Sequence, residues 1–293
     1  MQSFFTSLVN GLSLGSIYAI IALGYTMVYG IAKMLNFAHG DFIMVGGFAV
    51  FTAATTMGLH PVLAILIAMV VCTVIGVTTE RIAYRPLRGA ASPLAVLITA
   101  IGVSYFLQNV ALLIFGANAR SFTSVVPWKG VNVGGVQIQG VTIVTIITSI
   151  LILTLLQLFV HHTKEGQAML AVAQDRGAAT LMGINVNRTI TLTFAIGSAL
   201  AAVAGALLCS AYPQLTPYTG AMPGIKAFVA AVLGGIGSIP GAMIGGLMLG
   251  VIEILSRTYI SSQLSDAIVF GILIIVLLVR PAGILGHNIQ EKV

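Results

Sequence analysis

Charge is what this sequence has least of. Seven acidic and thirteen basic residues make up only 7% of 293. A soluble domain carries about 25% charged residues, because it must clothe its surface for water. This chain cannot do so, and its outer surface must face hydrocarbon, in keeping with an apolar share of 58% and a mean hydropathy of +1.07. The net charge of +6 would suggest nucleic acid in a soluble protein. No basic run tracks a phosphate backbone, however, and in an apolar chain Lys and Arg collect in cytoplasmic loops, so no nucleic acid partner is expected. Cysteine is scarce: Cys72 and Cys209 lie in apolar runs without a CxxC spacing, which excludes a disulfide framework or zinc site and leaves two small buried hydrophobes. No charged side chain precedes Lys33, so the basic region of a cleavable signal peptide is missing and the first apolar segment is expected to stay. HExxH, Walker and DxD patterns are absent too. The five His and seven acids are scattered, with no convergent titratable pocket, and neither enzymatic activity nor a metal or cofactor is expected.

What the chain does contain is apolar runs near the roughly 20 residues that cross a ~30 Å hydrocarbon core as a helix. They are Leu8–Gly30, Phe42–Met57 (full length only if it begins near Asn36), Val62–Thr79, Pro93–Phe115, Val141–Val160 and Ile190–Ser210. Then come Pro223–Ile236 and Gly241–Leu255, divided by a Gly- and Pro-rich break, and finally Ala267–Val279. The break reads as two short spans or a re-entrant hairpin, since irregular backbone at membrane depth needs protein or a water-filled cavity around it. The expectation is an all-α, polytopic transmembrane helical bundle of eight or nine spans, in one domain over residues 1–293. Nine of the thirteen basic residues fall on one side: Lys33, Arg81, Arg85, Arg88, Lys164, Arg176, Arg188, Arg280 and Lys292. That side is then cytoplasmic, with the N-terminus outside and the C-terminus inside.

Two loops stand out. The external loop 117–140 has short β-branched pieces, Ser121–Val126, Val131–Val133 and Val136–Ile138, and reads as a small hairpin or irregular cap; Trp128 suits an interfacial anchor. The loop 162–188 is a polar island holding Lys164, Glu165, Asp175, Arg176 and Arg188. It has no Pro, so a helix can run through much of it until Gly177 and Gly183 interrupt.

The spans carry few ionisable groups. Glu253 is the exception, with Glu80, Lys226 and Asp266 near span ends, where long side chains can snorkel. Ion-coupled carriers keep such groups inside their spans, so energy for transport must enter elsewhere, and the polar loop is the natural port.

Three stretches carry a family resemblance: Gly24-Tyr-Thr-Met-Val-Tyr-Gly-Ile with Leu35-Asn-Phe-Ala-His-Gly-Asp41; Ala171-Val-Ala-Gln-Asp-Arg-Gly-Ala-Ala-Thr-Leu-Met-Gly-Ile184; and Ala231-Val-Leu-Gly-Gly-Ile-Gly-Ser-Ile-Pro-Gly-Ala242. Together they resemble the permease subunits of bacterial branched-chain amino acid ABC importers, of the LivH type. The resemblance implies a bacterial inner-membrane protein that works with a second permease subunit, two cytoplasmic ATP-binding subunits and a periplasmic substrate-binding protein. It implies inward transport of Leu, Ile or Val, with urea, short amides or other amino acids as alternative cargo, and an ion-coupled carrier or channel as the more distant alternative. It also implies an ATPase-coupling loop with an EAA-type pattern. Ala178, Ala179 and Gly183 match that pattern, whereas Gly177 stands where Glu is expected, leaving Lys164, Glu165, Asp175 or Arg176 to supply polar contact.

Two further sets have paired readings. Asn36, His39 and Asp41 either line a polar break at the cytoplasmic mouth of the pathway, or serve as a helix cap and a dipole partner. Gly234, Gly235 and Gly237 either expose backbone to substrate or let helices pack closely.

Overall fold

The computed structural model describes residues 2–89, 93–133 and 135–286; Lys292, counted above among the basic residues, lies outside them. The long helices are α1 (Gln2–Ala32), α3 (Pro61–Thr79), α4 (Pro93–Phe115), α5 (Gly140–His162), α8 (Val186–Ala211) and α10 (Ile239–Tyr259). Shorter are α2 (His39–Phe51), α6 (Lys164–Gln174), α7 (Arg176–Leu181), α9 (Ala221–Gly234) and α11 (Ser265–Val279). Four of the long helices expose apolar side chains such as Val70, Phe106, Leu151 and Met248. Such a surface suits lipid and not water.

Among the described residues, six helices are each long and apolar enough to cross a membrane, against the eight or nine spans expected. The expected spans at Phe42–Met57, Pro223–Ile236 and Ala267–Val279 are helices of 13, 14 and 15 residues, about 20 Å each at 1.5 Å per residue. For α2 and α9 the physical reason is where they begin. A Cβ built on Gly24 would sit 2.4 Å from the His39 ring, so α2 starts level with a residue eight positions before the end of α1, about 12 Å in. The chain therefore leaves α1, turns at Lys33 (φ +49), and climbs back into the bundle before α2 begins. The start of α9 meets it there: a Cβ on Gly220 would lie 1.8 Å from the Gly40 carbonyl oxygen. Two half-length helices thus converge by their N-termini inside the protein.

At the centre is α1, buried on all sides from Ser13 to Val28. It packs on α10 through a close seam of glycines, where a Cβ built on Gly250 would lie 2.1 Å from the Gly15 amide. Without hydrophobic driving force between helices in lipid, such close van der Waals approach is what holds them. Cys72 and Cys209 are buried and free, as expected.

At the far end from α6 and α7, β2 (Val131–Val133) and β3 (Val136–Ile138) pair antiparallel, which bears out the expected hairpin. Gly135 there meets Gln2 at the start of α1. The pairing of β1 (Arg120–Ser121) with β4 (Gln214–Leu215) was not foreseen, because its two-residue strands lie nearly a hundred positions apart.

Candidate functional site

The polar island is ordered by its own polar residues. Thr163 accepts a hydrogen bond from the Gly166 amide (3.0 Å) and begins α6. Asp175 accepts from Ala178 (3.0 Å) and begins α7, and Asn185 accepts from Arg188 (3.0 Å) and begins α8. These are helix N-caps. The break therefore falls at Asp175 and not at Gly177, because the extended Asp175 backbone (φ −153, ψ 115) ends one helix while its carboxylate starts the next. Gly183 does end α7: its φ of +83 allows the Gly183 amide to bond Thr180 and the Ile184 amide to bond Ala179, both at 3.0 Å. That is a Schellman closure, which favours glycine.

Of the pattern residues, Ala179 is buried and Ala178 and Gly177 are exposed. A Cβ at Gly177 would meet only the Asp175 carboxylate, at 3.2 Å. Lys164 is exposed, and Glu165 pairs with Arg188 at 3.1 Å. Sequence reasoning passed over Leu181 and Met182, which are 90% and 83% exposed at the tip of this polar unit. The signal was available, since they are the two large apolar residues between Thr180 and Gly183.

Arg176 reaches from α7 to the other half of the site and donates to the Ala32 carbonyl, one of the unsatisfied acceptors at the end of α1. A cation there also complements the helix dipole. The next residue, Lys33, has its ammonium pushed below its usual value, first by burial and then by Arg176.

The three residues of the second motif go different ways. The Asn36 side chain accepts from the Tyr84 hydroxyl at 2.7 Å. His39 packs edge-on to Tyr25, centroids 4.6 Å apart. Asp41 accepts from Gln108 at 2.8 Å and, alone of the three, lines a cavity of about 480 Å³. The cavity lies where α2 and α9 begin, bounded by Gly40 and Ala221, with Leu97, Ile101 and Ile225 on its walls and Ser104 and Gln108 beside the carboxylate. His39 and Asp41 therefore sit well inside the bundle rather than at its mouth, because the connection 33–38 doubles back.

Gly234 and Gly235 lie where backbone packs closely in this structure. A Cβ at Gly234 would lie 1.9 Å from the Gly241 carbonyl, and Gly235 (φ +104) meets the Gly286 amide at 2.4 Å. Gly237 takes φ +97.

Of the ionisable residues expected near span ends, Glu80 and Lys226 are buried, whereas the Asp266 side chain stays 44% exposed. Glu80 is fully buried, bound by Arg88 and by the Thr191 hydroxyl at 2.6 Å. Lys226 is buried and joins Glu253 and Asp266, each at 2.7 Å, while Arg257 and Tyr18 also bind Glu253. A charge taken out of water must find its opposite; sequence spacing does not reveal partners 27 and 40 positions away.

This architecture is that of a polytopic helical membrane protein with a capped polar unit at one end and an internal cavity where two short helices meet. The family described as branched-chain amino acid transport system / permease component matches residues 7–277, and the chain belongs to it. The permease protein BraD of the high-affinity branched-chain amino acid transport system of Pseudomonas aeruginosa is 46% identical over 302 residues, covering 99% of this chain and 98% of that one. LivH of Escherichia coli K12, a permease protein of the same kind of system, is 46% identical over 303 residues with the same coverage. A more distant relative, the autoinducer 2 import permease LsrD of Escherichia coli SMS-3-5, is 29% identical over 67% of this chain and 62% of its own length.

Proposed function

We propose that this chain is the transmembrane permease subunit of an importer that carries branched-chain amino acids inward, driven by ATP hydrolysis on separate subunits. Its working assembly holds a second permease subunit, two cytoplasmic ATP-binding subunits and a periplasmic binding protein. The observation that carries the coupling part is the exposed apolar tip Leu181–Met182 on a capped polar unit that is tied to the end of α1 through Arg176. Exposed large apolar residues on a polar surface mark a protein contact, and this one is linked to the transmembrane core. α6 and α7 are the unit that the ATP-binding subunits grip, with Ala178 and Gly177 leaving room beside the tip.

The cavity at Asp41 is a segment of the pathway. An amino acid zwitterion needs an acceptor for its ammonium, positive potential for its carboxylate and an apolar wall for its side chain. Asp41 offers the first, the N-termini of α2 and α9 the second, and Leu97, Ile101 and Ile225 the third. Asn36 and His39 hold that site in place, and the glycines at 234, 235 and 237 close the α9–α10 turn. The chain crosses the inner membrane nine times, α2 and α9 completing their crossings with the connections that lead into them, so that the N-terminus is periplasmic and the C-terminus cytoplasmic. In favour of nine is the alternation of helix ends between the α6–α7 face and the β2–β3 face.

Uptake of labelled leucine into proteoliposomes holding this chain and its candidate partners tests the reading. Uptake is expected only with ATP, and to fall at least tenfold in Leu181→Asp/Met182→Asp while the protein inserts normally. Leucine accumulation on an ion gradient with no ATPase present would overturn it.

A further inference from the structure

A cavity larger than the Asp41 site lies away from it. It is an open groove of about 1110 Å³ whose floor is α8 and whose walls are α3 and α5. Its body is apolar, with Met69 on one wall, Leu155 and Phe159 on the other, and Leu192 and Ile196 beneath. Its mouth is different: Arg81, Arg85 and Arg188 gather there, with Glu165 the single acid. Glu165 is matched to Arg188 at 3.1 Å. Arg81 and Arg85 are exposed, and their side chains make no hydrogen bond or ion pair among the described residues. From Met69 to Thr79, the end of α3, is ten residues, about 15 Å at 1.5 Å per residue, and Arg81 and Arg85 lie beyond that end. The hydrocarbon depth of one leaflet is about half of ~30 Å. The groove thus runs from an interfacial arginine cluster to about the middle of the bilayer.

We infer that this groove is a binding site for an anionic phospholipid, with its phosphate between Arg81 and Arg85 and one acyl chain along α8 between α3 and α5. The argument is charge complementarity joined to shape. Guanidinium groups take phosphate oxygens in bidentate fashion, and basic pockets between transmembrane helices are where acidic headgroups bind. A helix of the second permease subunit is the rival occupant, and the walls argue against it. Helix contacts in membranes favour small residues that let backbones approach, whereas Met69, Leu155, Phe159 and Leu192 are long side chains that hold the groove open. The inference requires only that the chain span a bilayer, and does not depend on its cargo.

Native mass spectrometry of the full-length protein, released from detergent after titration with phosphatidylglycerol or phosphatidylcholine, tests it. One phosphatidylglycerol should be retained per chain, at least tenfold more tightly than phosphatidylcholine. Arg81→Gln/Arg85→Gln should abolish that preference, and Arg81→Lys/Arg85→Lys should restore most of it, which shows that loss is not misfolding. Leu155→Trp, at an exposed wall position, should weaken both lipids at this site several-fold. Retention of phosphatidylglycerol by the glutamine variant would overturn the site. So would full displacement of the lipid by millimolar inorganic phosphate, which would leave an anion site and no lipid groove. In the assembled transporter, a photoreactive phosphatidylglycerol should label Leu155–Phe159; labelling blocked by the second permease subunit would give the groove to that subunit and overturn the inference.

Discussion

The convergence of α2 and α9 can be tested by adding one methyl group at a time. At Gly220 a Cβ would lie 1.8 Å from the Gly40 oxygen and 2.7 Å from its carbonyl carbon, where ordinary contact begins at 3.4 Å. The shortfall of 1.6 Å (3.4 less 1.8) is against backbone on both sides, so a helix must move. At Gly40 the same addition comes within 2.7 Å of the Gly220 oxygen, a shortfall of 0.7 Å (3.4 less 2.7). At Gly102, on α4, nothing lies within 4 Å. Alanine improves on glycine by up to about 1 kcal/mol inside a helix, while overpacking costs about 1–3 kcal/mol and more where backbone must shift. Gly102→Ala should then be neutral or stabilising by up to about 1 kcal/mol. Gly40→Ala should lose about 1–2 kcal/mol, and Gly220→Ala about 3 kcal/mol or more. Thermal unfolding of the purified chain in detergent reads the order, with the Gly220→Ala midpoint lower by roughly 6 °C or more. Equal midpoints for Gly220→Ala and Gly102→Ala would refute the convergence, and with it the internal start of α2.

Four further outcomes are expected. Asp41→Asn should keep the hydrogen bond from Gln108 but lose the ammonium acceptor, so that leucine uptake falls at least tenfold with little change in melting temperature. Gly183→Ala must adopt a left-handed backbone that costs about 1–2 kcal/mol and shifts the Leu181–Met182 tip; ATP hydrolysis should then proceed with reduced uptake, and normal uptake would count against α7 as the coupling element. Glu253→Gln leaves Lys226 and Arg257 facing a neutral amide in a buried site, where removing one partner costs about 3–5 kcal/mol; unchanged thermal stability would refute that network. Thr163→Ala removes the α6 cap, at a cost of about 1 kcal/mol, and amide exchange in 164–174 should accelerate while α5 stays protected.

Most of the architecture was legible because apolar run length is a direct consequence of bilayer thickness. The six long helices appear in sequence as runs that agree with their observed bounds to within a few residues, apart from the longer α1. The half-helices were harder. Phe42–Met57 and Pro223–Ile236 look like spans, and nothing in their composition says that their first residues lie deep in the protein. The cue was Gly40, whose meaning lies in Gly220, 180 positions later. In the polar island the residue types were legible and their tasks only partly so. Asp175 was marked for contact with an ATP-binding subunit, yet its carboxylate already caps α7. Arg176 was marked likewise, yet its guanidinium is committed to the Ala32 carbonyl. Glu80 and Lys226 were misjudged because desolvation decides their fate, and desolvation depends on which helices become neighbours.

On the proposed function, the commitment of Arg176 matters more than a free surface charge would. Between Ala32, which it holds, and His39, which opens α2, the chain has only six residues, 33–38. α1 itself is clamped to α10 along the Gly15–Gly250 seam, so a displacement of α7 has two outlets: it drags the whole clamped pair, or it moves the non-helical 33–38 segment and with it the start of α2 at the Asp41 cavity. The second is the more direct, because six residues join Ala32 to His39 and no helix pair has to move as a whole, although the segment is tethered where Tyr84 donates to Asn36 at 2.7 Å. Proximity alone does not establish such a link; coupling energy does. Arg176→Ala and Gly40→Ala lie at the two ends of this short connection, so their effects on unfolding should deviate from additivity by more than about 0.5 kcal/mol. Arg176→Ala with Gly102→Ala, which share no partner, should add within about 0.3–0.5 kcal/mol. If both pairs add equally well, the 33–38 segment does not transmit, and α7 must act on the cavity through α8 instead.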